Sequence, residues 1–275
     1  MSIKLVALDI DDTLLNSHGE ILDSTQQAIK TALDRGIKIV LCSGRPLAGV
    51  KPYLDQLAIS GNDQYVVTYN GAVVCTADGE VLAKELLDND QYRRLTIFGE
   101  QHQVPFNVLD EHSVIYTADR NIDFVTVVQA WENLAGIMVR QLDELPNDFQ
   151  ITKGAFVGDP AKLDQIQSLV EQTFGHEMYI VRAGKQFLEL MNPKVNKGQA
   201  LKELTQQIGI SPAEVMVIGD EGNDLTMFEF AGLAVCMGNG SAEAKAQADF
   251  VTSTNDDNGI ALALNKFIWQ IDTNN

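Results

Sequence analysis

Basic residues, cysteines and long apolar runs are all scarce in this 275-residue sequence. The 20 Lys and Arg residues stand against 38 Asp and Glu residues, which gives a formal net charge of −18. Because this charge repels nucleic-acid phosphates and anionic lipid head groups, we expect no nucleic-acid partner and no membrane partner. The three cysteines, Cys42, Cys75 and Cys236, are widely separated, which excludes a disulfide framework and a cysteine-based zinc site. We expect three buried thiols in a reducing compartment.

The scarcity of apolar runs excludes a membrane-spanning helix, which needs about 20 consecutive apolar residues. Near the N-terminus, Asp9 interrupts the first apolar stretch too early for a secretory signal peptide. We therefore predict a cytoplasmic location. The composition, with 45% hydrophobic and 21% charged residues, excludes a disordered or fibrous chain and suits one large α/β domain or two smaller domains.

Apolar strands alternate with amphipathic helices in the first part of the chain. A capping-box pattern at Ser24 and Gln27 predicts the start of the first helix, and Gly36 predicts its end. Strand, helix, strand at this spacing is a βαβ unit, whose two strands are parallel. The predicted elements are strands over 3–8, 37–42 and 65–69 and helices over 24–35 and 46–57.

The pattern changes after Asn70. Two short apolar runs flank a turn at Asp78-Gly79, a hairpin signal that parallel sheets do not use. The chain then has the short elements of an α+β insert, with strands predicted over 106–109, 114–117, 150–157, 179–182 and 187–190 and helices over 90–101 and 160–174. The βα alternation resumes with helices predicted over 197–208, 224–230 and 260–268 and strands over 215–218 and 233–237. One parallel-sheet domain is thus split in sequence around an α+β domain.

Polar residues follow the predicted parallel strands. Since open parallel sheets bind ligands beyond the carboxyl ends of their strands, we expect these residues to meet at one site. Several carboxylates at one edge repel each other unless a cation neutralises them, and oxygen ligands of this kind suit Mg²⁺. The residues are Asp9, Asp11, Asp12 and Thr13 after the first strand, Ser43, Gly44 and Arg45 after the second, Asn70 and Gly71 after the third, Gly219, Asp220, Gly222, Asn223 and Asp224 after the strand at 215–218, and Lys197 at the start of the preceding helix.

Each of these motifs, taken alone, also has an ordinary structural interpretation. The acids at 9–12 and 220–224 fit capped turns, and Ser43-Gly44-Arg45 fits either an anion pocket or a simple strand-to-helix turn. Lys197 fits a surface lysine. The pairing of two acidic clusters, both on buried strands, favours the functional interpretation. An EF-hand over 9–20 is excluded, because Leu14 occupies the position that needs glycine and a strand precedes the loop.

Four motifs then carry a family resemblance. The segments are Asp9-Ile-Asp-Asp-Thr-Leu-Leu, Ser43-Gly-Arg, Lys197-Gly and Gly219-Asp-Glu-Gly-Asn-Asp. In this order they resemble the motifs of the haloacid dehalogenase superfamily of phosphatases, and the position of the insert resembles the class IIB cap of the Cof-type sugar-phosphate phosphatases. The similarity runs along nearly the whole chain. It implies an α/β fold with a Rossmann-like parallel-sheet core over 1–83 and 193–275 and an inserted α+β class IIB cap domain over 84–192.

The resemblance also implies a function and residue roles. The function would be Mg²⁺-dependent hydrolysis of small phosphorylated metabolites, with sugar phosphates as the expected substrates, through an aspartyl-phosphate intermediate. Asp9 would be the nucleophile and a metal ligand, Asp11 the general acid and base with its carbonyl on the metal, and Asp220 a further metal ligand. The phosphoryl group would be bound by Ile10, Ser43, Gly44, Lys197 and Asn223, with Asp224, Asn70 and Arg45 in supporting positions.

One residue departs from the family pattern. Asp12 occupies a turn position where such phosphatases usually have glycine, and Asp tolerates left-handed backbone better than most residues. In the cap, Arg182 and Lys185, together with Arg45, are candidates for contacting the substrate, although each also fits a solvated surface charge.

Two other functions stay open on the sequence. A phosphomutase or phosphotransferase would pass the phosphoryl group to an alcohol instead of water. A non-enzymatic phospho-acceptor domain also gathers acids at a sheet edge, but its acceptor Asp ends the third strand, whereas here that strand ends at Tyr69-Asn70. The oligomeric state stays open as well.

Overall fold

The structure, a computed structural model, describes residues 2–269. Its strands are β1 Leu5–Leu8, β2 Lys38–Cys42, β3 Tyr65–Thr68, β4 Val73–Thr76, β5 Val81–Lys84, β6 Phe106–Leu109, β7 Val114–Thr117, β8 Gly136–Val139, β9 Lys153–Val157, β10 Tyr179–Arg182, β11 Phe187–Met191, β12 Val215–Gly219, β13 Leu233–Cys236 and β14 Phe250–Val251. Its α-helices are α1 Asp23–Asp34, α2 Leu47–Gln56, α3 Asn89–His102, α4 Phe124–Glu132, α5 Pro160–Phe174, α6 Lys197–Ile208, α7 Leu225–Phe230, α8 Ala242–Gln247 and α9 Gly259–Leu264.

The described chain divides into two compact units. The core unit comprises residues 2–44, 51–83 and 196–269, and the cap unit comprises 45–50 and 84–195. Each unit has its own sheet and its own apolar core. We retain the domain boundaries of 1–83, 84–192 and 193–275 as a proposal.

The core unit is built on a sheet of eight strands within the described residues, in the order β14-β13-β12-β1-β2-β3-β4-β5. Neighbouring strands from β14 to β3 are parallel, and β4 pairs antiparallel with β3. The central position of β1 explains its composition, because all four residues of Leu5–Leu8 are fully buried. Each such Leu or Val contributes about 1.5–3 kcal/mol by burial. The Rossmann-like parallel core predicted from the sequence is therefore confirmed.

Helices cover both faces of this sheet. One face packs its alternate strand residues against Leu201 and Leu204 of α6 and Met227 of α7. On α1, Ile29 and Ala32 are buried, and the helix lies against β2 and α9. The coverage of both faces leaves the carboxyl-end edge of the parallel strands as the place for polar side chains.

The cap unit is an α+β unit, as predicted. Its six-stranded sheet has the order β10-β11-β9-β6-β7-β8 and is antiparallel except for the parallel pair β7 and β8. Helices α3 and α5 pack on one face over an apolar cluster that includes Phe106, Phe156 and Leu188. Val125 of α4 packs on the other face, against Ala155 and Val157 of β9.

Several sequence predictions need correction. The first helix begins at Asp23 after Leu22, which has no side-chain cap, so the capping box predicted at Ser24 and Gln27 is wrong. Ser24 instead donates its hydroxyl to Asn258, 234 residues away. Helices α4 and α8 and strands β8 and β14 are additions to the predicted elements. The three cysteines are buried, as predicted. Within residues 2–269, none of the helices combines the length and the apolar character required to span a bilayer.

Candidate active site

Asp9 lies where β1 ends and the chain turns out of the sheet. Its backbone N–H donates to the carbonyl of Ile218 on β12 at 3.0 Å, so the residue is still held by the sheet. Its side chain is buried, with the residue 6% exposed. A wide turn over Ile10–Leu14 follows, closed by a hydrogen bond from the Leu15 N–H to the Ile10 carbonyl at 2.9 Å. The strand thus fixes the Asp9 carboxylate at the carboxyl-end edge of the sheet.

The turn after Asp9 depends on a left-handed residue. Asp12 has φ 55° and ψ 7°, a conformation that Asp adopts at less cost than most side chains. Its carbonyl accepts a hydrogen bond from Nδ2 of Asn239 at 2.7 Å. Asp12 is therefore compatible with the turn in which the family usually has glycine.

Asp220 and Asp224 follow β12 and form a compact turn. The backbone N–H groups of Asp220 and Glu221 both donate to Oδ2 of Asp224, at 2.9 and 3.1 Å. Gly219 makes this fold-back feasible, because a Cβ at that position would lie 2.5 Å from the Asp224 carboxyl group. The capped-turn interpretation of this segment is thus correct for Oδ2 of Asp224. The other oxygen, Oδ1, accepts a hydrogen bond from Lys197.

Lys197 is the first residue of α6, and the start of this helix positions it beside Asp9 and Asp224. Oδ1 of Asn196 caps the helix by accepting from the Gln199 N–H at 2.7 Å. Gly198 lets α6 approach α7 closely, since a Cβ there would lie 2.0 Å from the Thr226 carbonyl oxygen. As a result, Lys197 is fully buried, and the surface-lysine alternative is wrong.

These side chains form a buried charged cluster. Lys197 Nζ donates to Oδ1 of Asp9 at 2.6 Å and to Oδ1 of Asp224 at 2.8 Å. The hydroxyl of Thr13 donates to Oδ1 of Asp220 at 2.8 Å. Asp9, Asp220 and Asp224 each present a carboxylate oxygen within 4.8 Å of the others. Three carboxylates therefore share one small buried space with a single ammonium group.

The electrostatics of this cluster follow from burial and from the unequal number of charges. Burial raises the pKa of Asp9 well above its ordinary value, and the nearby Lys197 charge only partly opposes this. Burial also raises the pKa of Asp220 to about 6, with the Thr13 hydrogen bond acting in the opposite direction. For Lys197, burial lowers the pKa, but the charges of Asp224 and Asp9 more than offset this, so its pKa is raised and it stays protonated. The cluster has surplus negative charge that one more cation would stabilise.

Four of the predicted phosphate-binding and supporting residues lie together at this edge of the sheet. The carbonyl of Ser43, which is buried, accepts from the N–H of Asn70 at 2.9 Å. Gly44 lies against the Asn70 side chain, where a Cβ would be 3.2 Å from its amide. The Asn70 Oδ1 in turn accepts from Nδ2 of Asn223 at 3.3 Å. These contacts connect the loops after β2, β3 and β12.

Other predicted residues do not join the buried cluster. The side chain of Asp11 is exposed, and its carboxylate is outside the group formed by Asp9, Asp220 and Asp224. Arg45 belongs to the cap unit, where Nη1 donates to the Glu132 carbonyl at 3.3 Å. Arg182 donates to the carbonyls of Gly184 and Lys185, which are close to it in sequence.

Two contributors to the site were not predicted as such from the sequence. The sequence shows Thr13 only as a polar residue after the first strand, yet its hydroxyl donates a hydrogen bond to Asp220. No role for Asn239 is predicted from the sequence, yet it holds the turn at Asp12, and its Oδ1 accepts from the N–H of Asn255 at 3.0 Å. Its position just after a predicted parallel strand, β13, was the signal that could have identified it.

Comparison with known proteins identifies the family of this chain. Residues 6–264 match the family model described as haloacid dehalogenase-like hydrolase. The chain belongs to that family. It is 37% identical over 266 residues to the Bacillus subtilis protein named "Putative phosphatase YxeH", covering 96% of this chain and 98% of that protein. The resemblance stated from the four motifs is confirmed.

Solved structures of this family agree with the fold. A haloacid dehalogenase-like hydrolase from Bacteroides thetaiotaomicron superimposes with a TM-score of 0.87 at 30% identity, covering 96% of this chain and 99% of that one. The subclass IIB sugar phosphatase BT4131 superimposes with a TM-score of 0.78 at 25% identity, covering 96% and 98%. This chain is accordingly an enzyme, a phosphatase of phosphorylated small molecules with a Rossmann-like core and an inserted cap.

Proposed function

We propose that this enzyme is a Mg²⁺-dependent phosphomonoesterase that hydrolyses sugar phosphates through a phosphorylated Asp9. The observation that carries the proposal is the buried cluster of Asp9, Asp220 and Asp224 around Lys197. A nucleophilic carboxylate, further acids for a cation and a fixed ammonium group are the parts that phosphoryl transfer needs.

The donor set of the cluster suits Mg²⁺. All three acids offer oxygen atoms, which hard cations prefer, and no His or Cys belongs to the group among the described residues. The raised pKa values of Asp9 and Asp220 indicate that their charges are poorly compensated by the protein alone. Asp9 and Asp220, with the Asp11 carbonyl, would hold the ion, which when bound neutralises charge on the phosphoryl oxygens and aligns the substrate.

Asp9 is the proposed nucleophile. Its Oδ1 accepts from Lys197, which leaves Oδ2 as the proposed attacking atom. Attack on phosphorus forms the bond from Asp9 to the phosphoryl group and breaks the bond to the sugar oxygen. Because Lys197 stays protonated, it holds Asp9 in place and favours its ionised form against the effect of burial.

Asp11 is the proposed general acid and base. It lies two residues after Asp9, at a turn, and it is exposed whereas Asp9 is buried. It would donate a proton to the departing sugar alkoxide and then take a proton from the water that hydrolyses the aspartyl phosphate. The different burial of the two acids suits the different roles, since only Asp9 must be kept dry and fixed.

Ser43, Gly44 and Asn223 are the proposed contacts of the phosphoryl oxygens, together with Lys197 and the Ile10 backbone. Ser43 and Asn223 come from separate loops that Asn70 links by hydrogen bonds. Donors fixed in this way favour the charge that develops in the transition state and need little reorganisation. Asp224, which bonds both Lys197 and the turn after β12, would orient the lysine.

A panel of phosphorylated metabolites, with phosphate release as the readout, tests the substrate class. We expect sugar phosphates to have the highest kcat/KM and phosphate to appear without an added alcohol acceptor. Release that depends on an acceptor would indicate a phosphotransferase. Preference for nucleotides or phosphoproteins over every sugar phosphate would contradict the proposed substrate class. The support for sugars is the structural likeness to a sugar phosphatase.

Removal of Mg²⁺ is expected to abolish phosphate release, and Mg²⁺ alone is expected to restore it without Zn²⁺. Mg²⁺ should also raise the melting temperature at neutral pH, because it neutralises buried carboxylates. The folded-state pKa of Asp220 is raised to about 6, so this carboxyl group binds a proton below that pH and Mg²⁺ must displace it. The Mg²⁺-induced rise in melting temperature should therefore be full above pH 7 and shrink as the pH falls through about 6.

Asp34→Asn is the matched control for Asp220→Asn in that experiment, since Asp34 is an exposed acid on α1. We expect Asp34→Asn to keep the Mg²⁺ response and Asp220→Asn to lose most of it. Full turnover in excess chelator, or an unchanged Mg²⁺ response in Asp220→Asn, would contradict the proposed metal site.

A further inference from the structure

Helix α4 of the cap unit has an outer face that is unusually apolar. Phe124 and Trp131 are 76% and 78% exposed, and Leu134, just after the helix, is 63% exposed. Val127, at 45%, lies between the two aromatic residues. Phe124, Val127 and Trp131 have the spacing i, i+3, i+7, which places them in one stripe on a helix. We call these four residues the α4 patch.

The opposite face of α4 fixes the helix to the cap sheet. Val125 packs on β9, and the buried side chains of Thr126 and Gln129 both accept hydrogen bonds from Nδ2 of Asn107 on β6, at 2.9 and 3.0 Å. The side chain of Asp123 caps the helix by accepting from the Val125 N–H at 2.8 Å. The helix that carries the exposed stripe is therefore firmly attached to the cap sheet.

The α4 patch has a large part of the apolar area that a stable dimer needs. Two aromatic side chains of about 200 Å² each, three quarters exposed, supply roughly 300 Å², and the two aliphatic residues bring the patch to the order of 450 Å². A standard interface takes about 800 Å² from each partner, of which roughly 65% is apolar in homodimers. One patch thus supplies most of the apolar area that one protomer would contribute.

Local charge favours a second copy of this chain over a partner of opposite charge. The chain as a whole carries −18, which would attract a basic partner and repel another copy. The charged residues closest to α4 in sequence, however, nearly balance, with Arg120 and Arg140 against Asp119, Asp123 and Glu132. A copy can therefore approach here with less repulsion than the acidic remainder of the surface would produce.

We propose that the enzyme forms a homodimer in which the α4 patches of two copies pack against each other about a two-fold axis. With the helices antiparallel and the axis near Val127, Phe124 of each copy lies over Trp131 of the other, because the two residues are equally distant from the centre of the stripe. Such an isologous contact is closed and buries both aromatic residues of both copies. Aromatic residues of this kind usually carry most of the binding energy of an interface.

Sedimentation of the full-length enzyme over a range of micromolar concentrations tests the proposal. We expect a species of twice 30.2 kDa for the wild type. Trp131→Glu and Phe124→Glu should each give the monomer, with the melting temperature retained because both residues are exposed. Leu169→Glu on α5 is the matched control, since it adds the same charge at an exposed leucine of the same unit, 40% exposed, and should stay dimeric.

Cross-linking tests whether the proposed two-fold axis lies near Val127. The native cysteines are buried, so a Val127→Cys variant offers one accessible thiol per chain, and a short bis-maleimide should join two copies efficiently. Leu169→Cys should give little cross-linked product. A monomeric wild type at every concentration, a dimer that persists in Trp131→Glu, or equal cross-linking of the two cysteine variants would each overturn the proposal.

Discussion

Asp9→Asn is expected to abolish phosphate release from every substrate, a loss on the order of 10⁴-fold or more in kcat. The amide keeps the shape of the side chain and can still accept a hydrogen bond from Lys197, so the geometry of the cluster should be preserved. It cannot act as the attacking carboxylate, however, and no phosphoryl-enzyme can form. Steady-state assays with a sugar phosphate and with an aryl phosphate measure the effect.

An aryl phosphate has a good leaving group, but a good leaving group should not rescue Asp9→Asn because the nucleophile itself is missing. Asp34→Asn, an exposed acid-to-amide change on α1, controls for the loss of one negative charge and should retain wild-type activity. Sizeable residual turnover in Asp9→Asn on either substrate would mean that Asp9 is not the nucleophile.

Lys197→Met is expected to lower kcat/KM by about 10²–10³-fold, the usual cost of removing one donor to a developing charge. The lysine is fully buried and is the ammonium that bonds both Asp9 and Asp224. Its loss leaves two carboxylates close together, so one of them takes up a proton and Asp9 is less often ionised. Breaking a buried ion pair in this way also costs about 3–5 kcal/mol of stability, which thermal unfolding would detect.

Lys202→Met is the matched control, because Lys202 is an exposed lysine on the same helix. It should leave both activity and stability close to those of the wild type. If Lys197→Met had the activity of Lys202→Met while remaining folded, the ammonium group would have no part in the reaction.

The main parts of the fold could be predicted because the sequence patterns were strong. The buried strand at 5–8, the helix at 197–208 and the helix at 160–174 have periodicity and end signals that agree with the tertiary structure. Helix α4 could not be predicted in the same way, because its run of Val125, Thr126, Val127 and Val128 has low helix propensity. Burial of its inner face and the hydrogen bonds from Asn107 override that propensity.

The candidate site also has a part that the sequence predicts and a part that it does not. Asp9, Asp220 and Lys197 were predictable as members of one site because each follows a strand or opens a helix at the carboxyl-end edge of a parallel sheet. Their partners were not. The bond from Thr13 to Asp220 spans 207 residues, and the role of Asn239 depends on the backbone of a turn far away in sequence. Such contacts are fixed by the three-dimensional packing of separate loops, which local patterns do not encode.

The most direct test of the central claim is to locate the phosphoryl group on the enzyme. In Asp11→Asn, attack by Asp9 on an aryl phosphate should continue because the phenolate leaves without a proton, whereas hydrolysis of the aspartyl phosphate should slow because the general base is absent. Acid quenching during turnover, followed by peptide mass mapping, should then find the phosphoryl group on Asp9. A phosphoryl group on any other residue, or turnover with none trapped while hydrolysis is demonstrably slowed, would contradict the account.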